Sequence, residues 1–238
     1  MAIHYLPAII SIVILAFISV KASKLTPGGG VAGCVVGFLA FAGCGYIGLA
    51  ILAAFFILAT LATSWKKKEK QLFKSRYDQS TRRNAGQVLA NGGVVAAIGL
   101  LAVLMPQQAN LFGLMMAAAL ASATADTLSS ELGMIYGRTF FNIVTLKKEA
   151  KGLDGVISFE GLFIGIIGSA VIATIYLRGD VFNPTFVWII CAGTIGNLAD
   201  SFLGALLERK KFIGNDMVNL LNTLIAAIVM LAFVSLFA

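Results

Sequence analysis

Apolar residues gather along the 238-residue chain into long runs that show neither the alternation of half-buried strands nor the one-sided stripe of soluble helices. Runs of this length predict membrane-crossing helices, because a helix rising 1.5 Å per residue needs about 20 residues to cross a hydrocarbon layer of about 30 Å. They fall at residues 3–20, 28–43, 45–64, 86–105, 109–130, 157–177, 185–206 and 217–237, which predicts eight helices. The second and third are short and glycine-rich, so 28–64 also reads as one helix plus a re-entrant piece, which would make seven. The intervening polar stretches are too short for a separate soluble domain. The chain reads as an all-α polytopic membrane protein, one integral domain over residues 1–238.

Composition agrees: 59% of residues are hydrophobic, 12% are charged and the mean hydropathy is +0.92. A soluble domain carries about a quarter charged residues. Every Lys and Arg except Arg178 lies in residues 21–24, 65–83, 138–151 or 209–211, stretches that eight crossings place on one face. The positive-inside bias makes that face cytoplasmic, with basic loops near 65–83, 134–156 and 207–216 and both termini outside. A prokaryotic plasma membrane is the expected location. No Lys or Arg precedes Lys21, so the first run reads as a retained helix rather than a signal peptide. Cys34, Cys44 and Cys191 lack metal-ligand spacing and read as small packing residues.

A weak internal repeat fits this topology. Thr26-Pro27 with Gly33 and Gly37 resembles Asp154-Gly155 with Gly161 and Gly165, and Asn84, Gln87 and Asn91 resemble Asn215, Asn219 and Asn222. The halves are then four helices each in parallel orientation, an arrangement that often sets a site at the interface between repeats.

Two aspartates stand inside apolar runs in nearly the same local sequence, Ala125-Asp126-Thr127 and Ala199-Asp200-Ser201. An ionised carboxylate at the bilayer centre costs about 2.5–3.5 kcal/mol even on lenient scales, so it persists where a cation or polar cavity compensates it. Ser122, Asp126, Ser129 or Ser130, Gly133 and Gly137 share one face of the fifth helix, and Gly193, Gly196, Asn197, Asp200 and Gly204 one face of the seventh. The glycines, with Gly161, Gly165 and Gly168 on the sixth, read as helix packing; packing does not require the carboxylates. Two bare carboxylates about 4 Å apart repel by roughly 4 kcal/mol at an effective dielectric near 20, and a cation between them removes that cost. The one histidine, His4, lies at the outer end of the first helix and reads as structural. Carboxylate, amide and hydroxyl oxygens remain as ligands, a set that suits Mg²⁺ or Mn²⁺ better than zinc.

Lys66, Lys67, Lys68, Lys70, Lys74 and Arg76 read as topology and lipid-contact charges. The loop 138–160 differs, because Arg138, Lys147, Lys148 and Lys151 share it with Gly152, Asp154, Gly155, Ser158 and Glu160, a plausible phosphate cradle. No Gly-x-x-x-x-Gly-Lys-Ser/Thr sequence occurs, so a nucleotide site here is not a P-loop.

Asp126-Thr127-Leu128-Ser129-Ser130-Glu131-Leu132-Gly133, running on to Gly137-Arg138, resembles a run found in membrane polyprenol kinases and CDP-alcohol-forming cytidylyltransferases. Ser158-Phe159-Glu160-Gly161 resembles a second element of theirs. Asn84-Ala85-Gly86-Gln87-Val88-Leu89-Ala90-Asn91-Gly92, Gly196-Asn197-Leu198-Ala199-Asp200-Ser201 and Asn215-Asp216-Met217-Val218-Asn219 narrow the likeness to the transmembrane protein 19 family, over roughly residues 20–230. The plant chloroplast member of that family is phytyl-phosphate kinase.

The resemblance implies phosphoryl transfer from a nucleoside triphosphate, CTP among the candidates, to a prenyl monophosphate. By carry-over Asp126 and Asp200 hold Mg²⁺ (or Mn²⁺), with Glu131, Asn197 or Asp216 completing the shell. Arg138, a catalytic candidate, joins Lys148, Asp154, Ser158 and Glu160 at the nucleotide, and Asn84, Gln87, Asn91, Asn215 and Asn219 line the opposite wall. Asn197 replaces an acid of the cytidylyltransferase pattern and Gly204-Ala205 its basic pair, which weighs against two-metal cytidylyl transfer. The expected partners are a lipid-tailed phosphate and a nucleotide, with no nucleic acid and with oligomeric state left open. Glycine-lined faces on the second, sixth and seventh helices could admit the lipid tail. A cytidylyltransferase and a cation or metabolite transporter of the repeat type are the competing classes.

Overall fold

The computed structural model describes residues 2–72 and 82–237; Lys74 and Arg76 lie outside them. The elements are α1 (Ala2–Lys21), α2 (Pro27–Ser64), α3 (Lys67–Gln71), α4 (Ala85–Leu104), α5 (Ala109–Tyr136), β1 (Phe140–Asn142), β2 (Val156–Ser158), α6 (Phe159–Tyr176), α7 (Pro184–Leu203) and α8 (Asn215–Phe237). Among the described residues six helices are long and apolar enough to cross a membrane, and α1 contributes a shorter apolar stretch, Tyr5–Lys21. The protein is an all-α polytopic membrane protein, with one small two-stranded sheet among the described residues.

Helix α2 is two arms and not one straight rod. A straight 38-residue helix would hold its ends roughly 57 Å apart, yet Lys24 Nζ, just before α2, donates to Ser64 Oγ at its far end across 3.0 Å. The chain therefore turns back, and it does so at Gly45, whose φ of 59° and ψ of −151° fall in a region essentially reserved for glycine. The arms 27–44 and 46–64 therefore run back on each other, and α2 packs on α4 and α5.

Helix α5 is the axis of the bundle: 72% of its apolar window is buried, against 22–44% for the other five long helices. It packs on α2, α4, α6, α7 and α8. Met116 to Ala125 is an unbroken run of buried, mostly small residues, which lets neighbouring backbones close in from every side. On α6, Gly161, Gly165 and Gly168 face Gly133, Ser129 and Thr124 of α5, with a Cβ built at any of the three falling within 3.2 Å of the α5 residue it faces. The glycine stripes are packing faces, and their closeness fixes the depth of the polar residues beside them.

At the basic end, Thr26 caps α2 by accepting from Gly29 N–H, and Ser158 caps α6 by accepting from Gly161 N–H. Cap on cap aligns Thr26 with Ser158 and Gly29 with Gly161, four residues away from the pairing of Thr26 with Asp154 read from the sequence. Between α5 and α6 the chain forms an antiparallel pair, β1 and β2, with Phe140 opposite Ser158. Gly155, at φ +73°, abuts the turn after α7, where a Cβ would lie 2.6 Å from Ala205 N. Arg209 clasps the same loop through Glu149 at 2.9 Å and the Asp154 carbonyl at 3.1 Å.

Candidate functional site

A polar cavity of about 650 Å³ opens between α2, α4, α5, α7, α8 and the 152–158 loop at the basic end. Helix α5 contributes Asp126, Thr127, Ser129, Ser130 and Glu131; α7 contributes Asn197, Asp200 and Ser201. The Asp126 and Asp200 side chains are neighbours in this lining, close enough to interact electrostatically. Glu131 and Glu208 add negative potential at Asp126, as Asp154 does at Asp200. Two neighbouring acids amid further acids repel when both are ionised, a cost that a shared proton or a cation removes.

The pair is braced from behind. Asn222 Nδ2 donates to Asp200 Oδ2 at 2.6 Å, and Ser122 Oγ donates to Asn222 Oδ1 at 3.2 Å, both braces being fully buried. Ser129 Oγ donates to Asn197 Oδ1 at 3.0 Å, tying α5 to α7 one turn away. Asn91 directs its amide N–H to the Gln87 carbonyl, which leaves Asn91 Oδ1 a buried acceptor with no partner among the described residues.

Of the residues singled out by sequence, Asp126, Asp200, Glu131, Asn197, Asp154, Ser158, Gln87, Asn91, Asn215 and Asn219 line this cavity. Several hold structure as well: Ser158 is a helix cap, and Asn84 with Gln87 forms a reciprocal capping box on α4. Arg138, Lys148, Glu160, Asn84 and Asp216 are not among the lining residues. Arg138 is exposed and gives its backbone N–H to the Glu160 carboxylate at 3.4 Å; Lys148 is exposed in the same loop. Asp216 sits against the first turn of α4, where a Cβ on Gly86 would lie 2.8 Å from its Oδ2.

One sequence reading is overturned outright. Lys70 is not a solvated topology charge: it is 2% exposed, donates to Ala62 O at 2.7 Å and Thr63 O at 3.1 Å, and pairs with Glu131. All three of its N–H donors are thereby used, two of them closing the last turn of α2. Lys67, placed in the same class by sequence, lines the cavity with Lys24 and Arg83. Among the residues left out of the sequence-derived site, Asn222 was detectable, since Asn215, Asn219 and Asn222 share one helix face.

Among the described residues no group of three or more His, Cys, Asp or Glu side chains could hold a metal ion. A divalent cation at Asp126 and Asp200 would take two carboxylates and fill its shell from amides, water or ligand oxygens. That donor set fits Mg²⁺, which characteristically binds through one or two carboxylates and substrate phosphates.

The sequence family described as "Integral membrane protein DUF92" matches residues 10–227. An uncharacterised membrane protein of Methanocaldococcus jannaschii is 33% identical over 225 residues, 93% of this chain and 91% of its own length. The chloroplastic protein VTE6 of Arabidopsis thaliana is 30% identical over 212 residues; the match covers 86% of this chain and 64% of VTE6. An uncharacterised membrane protein of Synechocystis is 28% identical over 218 residues, 90% of this chain and 84% of its own. No solved structure matches the chain. With nearly its whole length accounted for, the chain belongs to the DUF92 family of integral membrane proteins.

Proposed function

We propose that this protein is a membrane-embedded kinase that moves a phosphoryl group from a nucleoside triphosphate to a prenyl monophosphate, giving a prenyl diphosphate. The observation that carries this reading is that Asp126 and Asp200 neighbour each other in a polar cavity that Lys24, Lys67 and Arg83 also line. Similarity to VTE6 and the family's phytyl-phosphate kinase supports it.

The reaction asks little covalent chemistry of the protein. The acceptor phosphate has a second pKa near 6, so at neutral pH one of its oxygens is already an anionic nucleophile and no general base is required. It attacks the terminal phosphorus, the bond to the bridging oxygen breaks, and the nucleoside diphosphate leaves with that electron pair. When bound, Mg²⁺ supplies charge neutralisation for the phosphate oxygens, and Asp126 and Asp200 are the residues that would hold it. Asn222 keeps the Asp200 carboxylate turned toward Asp126, while the packed, small-residue α5–α7 contact keeps the pair from separating. Positioning of this kind, with cationic side chains lining the same cavity, is the main lever in phosphoryl transfer. The cavity opens at the basic, cytoplasm-facing end, where a soluble nucleotide and a membrane-anchored phosphate can meet.

A product assay on the purified protein tests the reading. With a nucleoside triphosphate, Mg²⁺ and a prenyl monophosphate, it is expected to release nucleoside diphosphate and prenyl diphosphate. Release of pyrophosphate with a CDP-lipid would replace it by cytidylyl transfer, and solute flux in proteoliposomes without nucleotide turnover would replace it by transport.

A further inference from the structure

Arg83 is pinned at its backbone and unspent at its side chain. Its N–H donates to Lys24 O at 2.9 Å, its carbonyl accepts from Thr26 N–H at 3.0 Å, and Gly29 approaches so closely that a Cβ there would lie 2.5 Å from Arg83 O. The guanidinium carbon stands over the Phe55 ring at 5.7 Å from its centroid. None of the five guanidinium N–H donors has a hydrogen-bond acceptor among the described residues, although the side chain lines the cavity. Its charged neighbour Glu131 is already engaged by Lys70. Withdrawal from water lowers the Arg83 pKa from its ordinary value, an effect that Glu131 opposes.

A planar cation stacked on an aromatic face and held by a fixed backbone is pre-organised to present its donor edge to an oxyanion. Lys24 lies on the same wall, spending one donor on Ser64 Oγ at 3.0 Å, and Lys67 lines the cavity too. The acids of the pair repel an anion, which leaves the cationic part of the lining as the favourable place for it. We infer that Arg83, with Lys24 and Lys67, forms a phosphate subsite that takes a phosphate dianion bidentately in the cavity that Asp126 and Asp200 also line. Assigning the phosphate to the prenyl acceptor or to the nucleotide rests on the kinase reading; the subsite itself does not.

Titration calorimetry on the purified full-length protein tests this with three probes: inorganic pyrophosphate, a non-hydrolysable nucleoside triphosphate and a short-chain prenyl monophosphate. Wild type is expected to bind at least one, with affinity falling about tenfold or more in R83Q and by a smaller factor in R83K, which keeps the charge and loses the fork. The probe that loses affinity identifies the occupant. If R83Q does not fold, R83K carries the comparison. Equal binding of all probes by wild type and both variants overturns the subsite, as does failure of wild type to bind any. Arg83-dependent pyrophosphate binding in a protein that transfers no phosphoryl group upholds the subsite and removes the kinase reading. Turnover with unchanged KM values in R83Q removes the subsite and leaves the kinase reading in place.

Discussion

Asn222 on α8 holds Asp200 on α7 by a 2.6 Å hydrogen bond, and Ser122 on α5 holds Asn222 in turn, so three helices meet at one carboxylate. Partners that orient a metal-binding carboxylate typically contribute 10–100-fold to affinity or activity. Asn222→Leu is therefore expected to lower kcat by roughly that factor while the protein stays inserted, with a smaller effect on the KM for either substrate. Steady-state kinetics beside a thermal-unfolding curve checks this.

Lys70 and Glu131 form an ion pair in which both side chains are almost wholly out of solvent. Removing one partner leaves an uncompensated buried charge, at a cost of about 3–5 kcal/mol, whereas replacing both by apolar residues is often neutral. Lys70→Met should be strongly destabilising, and Lys70→Met with Glu131→Met should recover most of the loss. Equilibrium unfolding in mixed micelles measures both. A Glu131→Gln variant that lost cation affinity without losing stability would instead place Glu131 in the metal shell.

Sidedness follows from the basic end. In a background lacking Cys34, Cys44 and Cys191, a cysteine at Lys210 should react with an impermeant thiol reagent only after the cells are opened, and one at Arg178 should react on intact cells. The reverse pattern would place the cavity on the outside.

Much of this architecture could be read in the chain because membrane crossing is a length-and-hydropathy constraint. Even the division of residues 28–64 was visible as a cluster of glycines, and Gly45 adopts the backbone that reverses α2. The stripe from Ser122 to Gly137 was legible because helical periodicity alone puts its members on one face. Lys70 and Arg83 were not. Nothing local distinguishes them from the lysines around them; the Glu131 partner of Lys70 comes from α5 and the backbone that pins Arg83 from the α1–α2 turn, elements far away in sequence. Capping geometry is likewise absent from residue type: Thr26 and Ser158 both cap helices, a likeness the sequence pairing of Thr26 with Asp154 did not use.

Manganese binding followed by electron paramagnetic resonance reads the acidic pair without requiring turnover. The wild-type protein should bind Mn²⁺, displaceable by Mg²⁺, with affinity falling about 100-fold or more in Asp126→Asn and in Asp200→Asn. Lys210→Ala should bind as wild type. Undiminished Mn²⁺ binding in both folded aspartate variants would contradict the assignment of Asp126 and Asp200 as the cation site.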